Sequence, residues 1–192
     1  MTFRDTITSL AGQAEDRALD LYARWEAGEL DDEQFEALLA ALVARYNSRA
    51  ATVADLALAA AVTVALRRAV APLGIVTPPG DPQRLRTATR TLREALEDTP
   101  DPQARVARLA RAEPLDTAAR SYSEGIARSR HVEGWVRGLS ANACELCTWW
   151  ARGGRIWPKT HRMPTHKGCT CTPIPTVSEV PIKPDQTTRR KR

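Results

Sequence analysis

All four cysteines of this 192-residue chain, and two of its three histidines, fall between Cys144 and Cys171. Cys144-x-x-Cys147 places two thiolates on one tight turn, the usual first half of a structural zinc site. His166-x-x-Cys169-x-Cys171 follows after a gap of 18 residues and supplies a second half. Zinc takes four ligands in a tetrahedron and favours thiolate and imidazole. Five donors therefore compete for four places. Cys144, Cys147 and His166 are the first three, and Cys169 and Cys171 compete for the fourth. Alternate residues of an extended stretch point the same way, so the spare thiol lies close enough to substitute.

Other chemistries compete for these residues. A redox Cys-x-x-Cys opens a helix after a strand in a thioredoxin-like pattern, and no such pattern precedes Cys144. Disulfides are a second option, although a Cys169–Cys171 bridge would be strained. Buried thiols that bind nothing are a third. A catalytic zinc needs an open coordination position and a nearby general base. Glu145 is the only acid inside the cluster. A zinc deaminase carries His-x-Glu and then Pro-Cys-x-x-Cys. His131-Val132-Glu133 has the first letters, but no proline precedes Cys144. A nuclease of the His-Asn-His class would need an Asn after a hairpin, and residues 166–192 contain none. No enzymatic activity is expected. His131 is read onto a helix face and His161 into a loop.

The elements that position this cluster read as follows. Ile7, Leu10, Ala14, Ala18, Leu21 and Trp25 recur at spacings of three and four, which predicts an amphipathic helix from about Thr6 to Ala27. Gly28 stops it, and Asp31 or Asp32 caps the next. That second helix should run to about Ala71, with Asn47-Ser48 as its expected kink. Its turn from Ala57 to Val64 is apolar on nearly every face, so other helices or another subunit should cover it. Asp81-Pro82 and Asp101-Pro102 each resemble a cap followed by first-turn proline. They predict short helices near 82–97 and 102–112. A fifth helix, capped near Asp116, is expected to pass Tyr122, Ile126 and Trp135 and stop at Gly138.

Beyond Gly138 the pattern changes. Gly153-Gly154, between "CTWWAR" and "RIWP", signals a hairpin. "CTCTPIPTV" offers a further strand that its prolines confine to an edge. The expected organisation is a long-helix region (1–72), a Pro/Gly linker (73–81), a helical region (82–138), a zinc-knuckle module (139–177) and a flexible basic tail (178–192). The fold class is mainly α, with a small C-terminal zinc-knuckle β-hairpin module. Apart from tryptophans the module has little apolar material, and a metal contributes folding energy that it otherwise lacks. Trp149, Trp150 and Trp157 are either interface anchors or simply the module's core.

Charge is unevenly spread. Residues 1–138 carry 18 Arg against 20 acids, while residues 139–192 carry 10 Lys or Arg against 3 acids. The basic end, and Arg189, Arg190, Lys191 and Arg192 above all, suits contact with nucleic-acid phosphates. The bland reading is a solvated tail. The N-terminus lacks the basic leader and apolar core of a signal peptide. The longest uncharged apolar run, Leu56 to Leu66, is too short to span a bilayer. A reducing cytoplasm is therefore expected, where paired cysteines are more often metal ligands than disulfides.

The order helix, Trp135, Cys144-x-x-Cys147, a glycine turn, then His166-x-x-Cys169-x-Cys171 and Thr-Pro resembles the C-terminal module of the Mu F-like phage head morphogenesis family, in its actinobacteriophage form. The resemblance covers about residues 116–175. Two departures are Glu145, where the family usually has Pro, and Trp149-Trp150 before the glycines. The resemblance implies a low-copy structural minor capsid protein inside the head near the portal, made in the host cytoplasm and acting in head assembly, genome packaging or delivery. It implies a portal protein and other head proteins as partners, and the basic terminal region would be compatible with non-specific contact to packaged DNA. Self-association through the long helix is a further expectation. The alternative is a zinc-finger-type nucleic-acid-binding regulator, although no helix after the knuckles is available to read a groove.

Overall fold

The computed structural model describes residues 2–178. Of the expected basic tail only Ser178 is included, so Arg189, Arg190, Lys191 and Arg192 lie outside the described residues. Helix α1 (Phe3–Glu26) starts at a capping box in which Thr2 and Asp5 satisfy each other's backbone N–H groups. Its apolar stripe is buried at Ile7, Leu10, Ala14 and Ala18. Gly28, with φ of 74°, makes the left-handed turn that ends the first helical segment. Asp31 caps α2 (Asp32–Leu66) through a second capping box with Gln34.

Helix α2 is continuous for 35 residues, roughly 50 Å at the usual rise. The expected kink at Asn47-Ser48 does not occur. Asn47 is fully buried and its amide nitrogen donates to Asp81 Oδ2 at 3.1 Å, while its Oδ1 has no hydrogen-bond partner among the described residues. The helix also ends earlier than expected, at Arg67 in the left-handed conformation. By length and composition alone α2 is long and apolar enough to cross a membrane. Here Leu39, Val43, Ala50, Ala54, Leu58 and Val62 are instead spent on packing against α1, α4 and the sheet. Within Ala57–Val64 other elements of the chain cover Leu58, Ala59 and Val62, while Val64 is 78% exposed and Leu56, just before this stretch, 53%.

The linker after α2 is pinned rather than loose. Asp55 accepts from the backbone N–H groups of Leu73, Gly74 and Ile75 at 2.8–3.1 Å, and Ile75 is buried. Helix α3 (Asp81–Leu96) follows Gly80, which makes no side-chain cap. Asp81 is therefore the first helical residue, not the expected cap, and its carboxylate is engaged by Arg84 and Asn47. Asp101 does cap α4 (Pro102–Arg128), accepting from Ala104 N–H at 2.9 Å.

Two expectations fail along α4. The helix does not end near 112 and restart at Asp116, but runs through Pro114 to Arg128. Asp116 forms an ion pair with Lys167 at 2.9 Å instead of capping. The supposed continuation to Gly138 is strand β1 (Val132–Gly138), so Trp135 is a strand residue and His131 precedes a strand rather than lying on a helix. Gly134 carries the reason. A Cβ there would collide with the Trp157 carbonyl oxygen, so only glycine allows the neighbouring backbone so close.

Strand β1 is the centre of a three-stranded antiparallel sheet of order β2-β1-β3, with β2 at Trp157–Pro158 and β3 at Thr172–Val177. As expected, β3 is an edge strand, and Pro173 and Pro175 sit opposite Arg137 and Trp135. The hairpin at Gly153-Gly154 differs from expectation. "ELCTWWA" forms a short helix, α5 (Glu145–Ala151), and β2 pairs with β1. The mainly helical fold with a small C-terminal β-containing Cys/His region is otherwise as read from the sequence. The sheet seats on α2 and α4 through Trp135, Val132, Leu58, Val62, Tyr122 and Ile126.

Replacing Gly134 by Ala should therefore detach β2, with a loss of about 1–3 kcal/mol or more typical of an overpacked site. Thermal unfolding with tryptophan emission would check this. An unchanged midpoint would show that the β1–β2 contact tolerates a side chain.

Candidate metal centre

The turn before α5 places Cys144 at its N-cap and Cys147 one turn into the helix. The turn before β3 places His166, Cys169 and Cys171 opposite. Arg4 of α1 anchors this second turn, donating to the carbonyls of Thr170 and Gly138 at 3.1 Å each. Lys167 anchors it to α4 through Asp116. The second half of the cluster is thus fixed to the helical body.

Cys144 Sγ and Cys147 Sγ each lie 3.3 Å from His166 Nε2, and Cys147 Sγ lies 3.6 Å from Cys169 Sγ. The donor atoms form two groups, Cys144–Cys147–His166 and Cys147–Cys169–Cys171, each within 4.8 Å and sharing Cys147. A tetrahedral zinc with Zn–S bonds of about 2.3 Å has S···S edges of about 3.8 Å. The spacings are therefore those of a metal site drawn together around Cys147. All four cysteines are free thiols, so the disulfide alternative is not what forms. All five expected donors are gathered, and both Cys169 and Cys171 stay beside Cys147. His161 is elsewhere, with its ring stacked on Trp157 at 4.5 Å and its carbonyl accepting from Trp135 Nε1.

The thiols are not equivalent. Burial raises the pKa of Cys147, and the neighbouring Cys169 and Cys171 thiols raise it further. The exposed Cys144 thiol is lowered, chiefly because the Cys147 backbone N–H donates to it. At Cys171 burial pulls upward, but hydrogen bonds from Ser140 and the adjacent thiols outweigh it and leave the group lowered. Holding several of these thiols as thiolates together requires a cation.

Arg137 supplies a test of whether a metal fits. Its side chain is buried at 5% exposure, with Nη1 3.6 Å from Cys147 Sγ and Nη2 donating to the Pro164 carbonyl. Its guanidinium also lies over the Trp150 ring at 5.1 Å. Arg137 has no carboxylate partner among the described residues. A buried cation needs a counter-charge. Zinc with three thiolates and one imidazole carries one unit of negative charge, which Arg137 offsets. Neutral thiols alone would leave the guanidinium uncompensated. The donor set and its surroundings thus fit a thiolate-bound metal. Sequence reasoning missed Arg137 because it ran a helix through this stretch to a stop at Gly138.

The three candidate tryptophans separate. Trp157 is half-buried and stacks with Trp135. Trp150 is half-buried beside the cysteines. Trp149 is 57% exposed, with Arg152 over its ring at 3.9 Å.

Residues 2–190 match the family model described as "VG15 protein". No curated protein and no solved structure matches the chain.

Proposed function

The chain belongs to the VG15 family of phage virion-associated proteins, and we propose that it acts as a structural, non-enzymatic minor head protein with a structural zinc. The observation that carries this reading is the family match, which spans both the helical body and the Cys/His region. The finer assignment to a Mu F-like role near the portal rests on the order of the two knuckles. In this role the chain works inside the head in assembly, genome packaging or delivery, after synthesis in the host cytoplasm.

Zinc held by Cys144, Cys147, His166 and one of Cys169 and Cys171 would tie the turn before α5 to the turn before β3. Its contribution is to folding, since no ligand position need remain open. Arg137 balances the charge, and Arg4 and Lys167 orient the cluster on α1 and α4. The exposed Trp149 is the aromatic best placed to anchor a portal or head-protein contact. The uncovered side of α2 around Leu56 and Val64 is the surface that self-association through the long helix would use.

Co-expression with the cognate portal protein, followed by purification through the portal, tests the role. Co-purification of this chain is expected, and Trp149→Ala should weaken it. Sequence-specific DNA binding without portal association would overturn the assignment in favour of a regulator.

A further inference from the structure

A second site lies away from the cysteines, where α4, the pinned linker and the turn after β2 meet. These elements border a half-open cavity of about 300 Å³. Thr117, Arg120, Ser121 and Glu124 recur at helical spacing on one side of α4 and line it. Lys159, Thr160 and Arg162 line it from the turn after β2, over a floor of Val76 and Pro78.

Its charge is one-sided. Arg120 donates only to the Thr117 hydroxyl, and Lys159 to the Ser129 carbonyl. No carboxylate pairs with Arg120, Lys159 or Arg162 among the described residues. Glu124, the one acid in the lining, is already paired with Arg128 at 3.1 Å. Ser123 also lines the cavity, and its buried hydroxyl has no hydrogen-bond partner among the described residues. Ser123 is 8% exposed, so that unpartnered group is an internal feature. Other cations of the helical body, such as Arg84, Arg93 and Arg111, are matched to acids. Here three cations converge with hydroxyl donors and no free counter-charge.

We propose that this cavity binds a phosphate group, as a monoester or as a single phosphodiester of a nucleic-acid strand. Arginine and lysine supply the charge-assisted hydrogen bonds that phosphate oxygens accept, and the serine and threonine hydroxyls complete the shell. The volume is at the small end of small-molecule sites, which suits one phosphate and its sugar rather than a duplex. The site shares no residue with the cysteine cluster.

The test uses full-length, zinc-loaded protein in 0.15 M salt (on the order of physiological ionic strength), titrated with thymidine monophosphate and with a short single-stranded oligothymidylate. Arg120→Gln/Arg162→Ala is compared with wild type and with Arg17→Ala, a surface control outside the cavity. An unchanged far-UV spectrum and melting midpoint guard against misfolding. Both probes should bind, and the double substitution should weaken both at least about tenfold while the control does not. Each lost phosphate contact should also lower the salt slope for the oligonucleotide by about one. Tighter binding of the oligonucleotide assigns the site to a strand, and equal binding assigns it to a free phosphate ester. Equal affinity in wild type and double variant, or no binding of either probe, overturns the proposal.

Discussion

Replacing Cys147 by Ser is expected to take zinc from about one per chain to near zero and to unfold the C-terminal sheet. Cys147 is the one donor common to both groups of ligand atoms, so its loss breaks each of them. A serine hydroxyl does not ionise near neutral pH and is a poor zinc ligand. Cys147 is itself buried, at 1% exposure, so water cannot readily take its place in the coordination sphere. Structural zinc contributes apparent free energies on the order of 10 kcal/mol in small modules. Loss of the metal also leaves Arg137 buried without its counter-charge. Elemental analysis gives the zinc content, and Trp135 and Trp157 report the sheet by fluorescence. Cys169→Ser and Cys171→Ser, measured alongside, identify the fourth ligand as the one whose loss depletes zinc. A wild-type zinc content near zero would sink the metal reading. Chelation that removes zinc but leaves the emission and melting unchanged would remove its structural role.

What the sequence revealed and what it hid follow a physical division. Capping residues act on their own next turn, so Asp31 and Asp101 were readable, as was the glycine turn at Gly28. The cysteine cluster was readable because ligand types at fixed spacing carry their own chemistry. Prolines placed β3 at an edge because they cannot donate to a ladder. The strand at 132–138 was hidden because the helix through Tyr122 and Ile126 was carried on to a stop at Gly138, although Trp135, nine residues beyond Ile126, falls on the opposite helix face. Gly134 was the available signal, since its value lies in a contact with a residue distant in sequence. The kink expected at Asn47 and the restart expected at Asp116 misled in the opposite direction. Each reads as a break locally, and each lies inside a long helix held by tertiary packing. The phosphate cavity was hidden for a further reason: Arg120 and Arg162 belong to different elements and meet only in the fold.

Substituting Arg84 by Met should be the most damaging change in the helical body, and its cost should depend on pH. Arg84 Nη2 lies 2.7 Å from Asp81 Oδ1 and 2.5 Å from Glu113 Oε2. Both carboxylates are almost wholly buried, and Asn47 is the other side chain that donates to them. Breaking such a pair leaves uncompensated buried charge, typically about 3–5 kcal/mol. The low end applies, because Arg84 itself is 42% exposed and partly screened by water. Burial alone would raise the Glu113 carboxyl. The Arg84 hydrogen bond and charge, helped by Lys167 and Asn47, outweigh burial and hold it below its ordinary value. A folded-state value below the unfolded one gives stability that is present above the unfolded value. That stability is lost as pH falls through the folded value. Wild type should therefore weaken in acid, below the ordinary carboxyl range. Without Arg84 the balance at Glu113 inverts, since burial and the neighbouring Asp81 charge now raise its carboxyl. The variant should regain part of its deficit as pH falls toward about 4–5 and one carboxylate takes a proton. Urea unfolding, which adds no salt, should give a larger difference from wild type at neutral pH than near pH 4.5 (about the ordinary glutamate value). Adding Glu113→Gln to Arg84→Met should recover much of the loss at neutral pH. A deficit that is the same at both pH values, and unmoved by Glu113→Gln, would show that Arg84 acts through packing rather than charge.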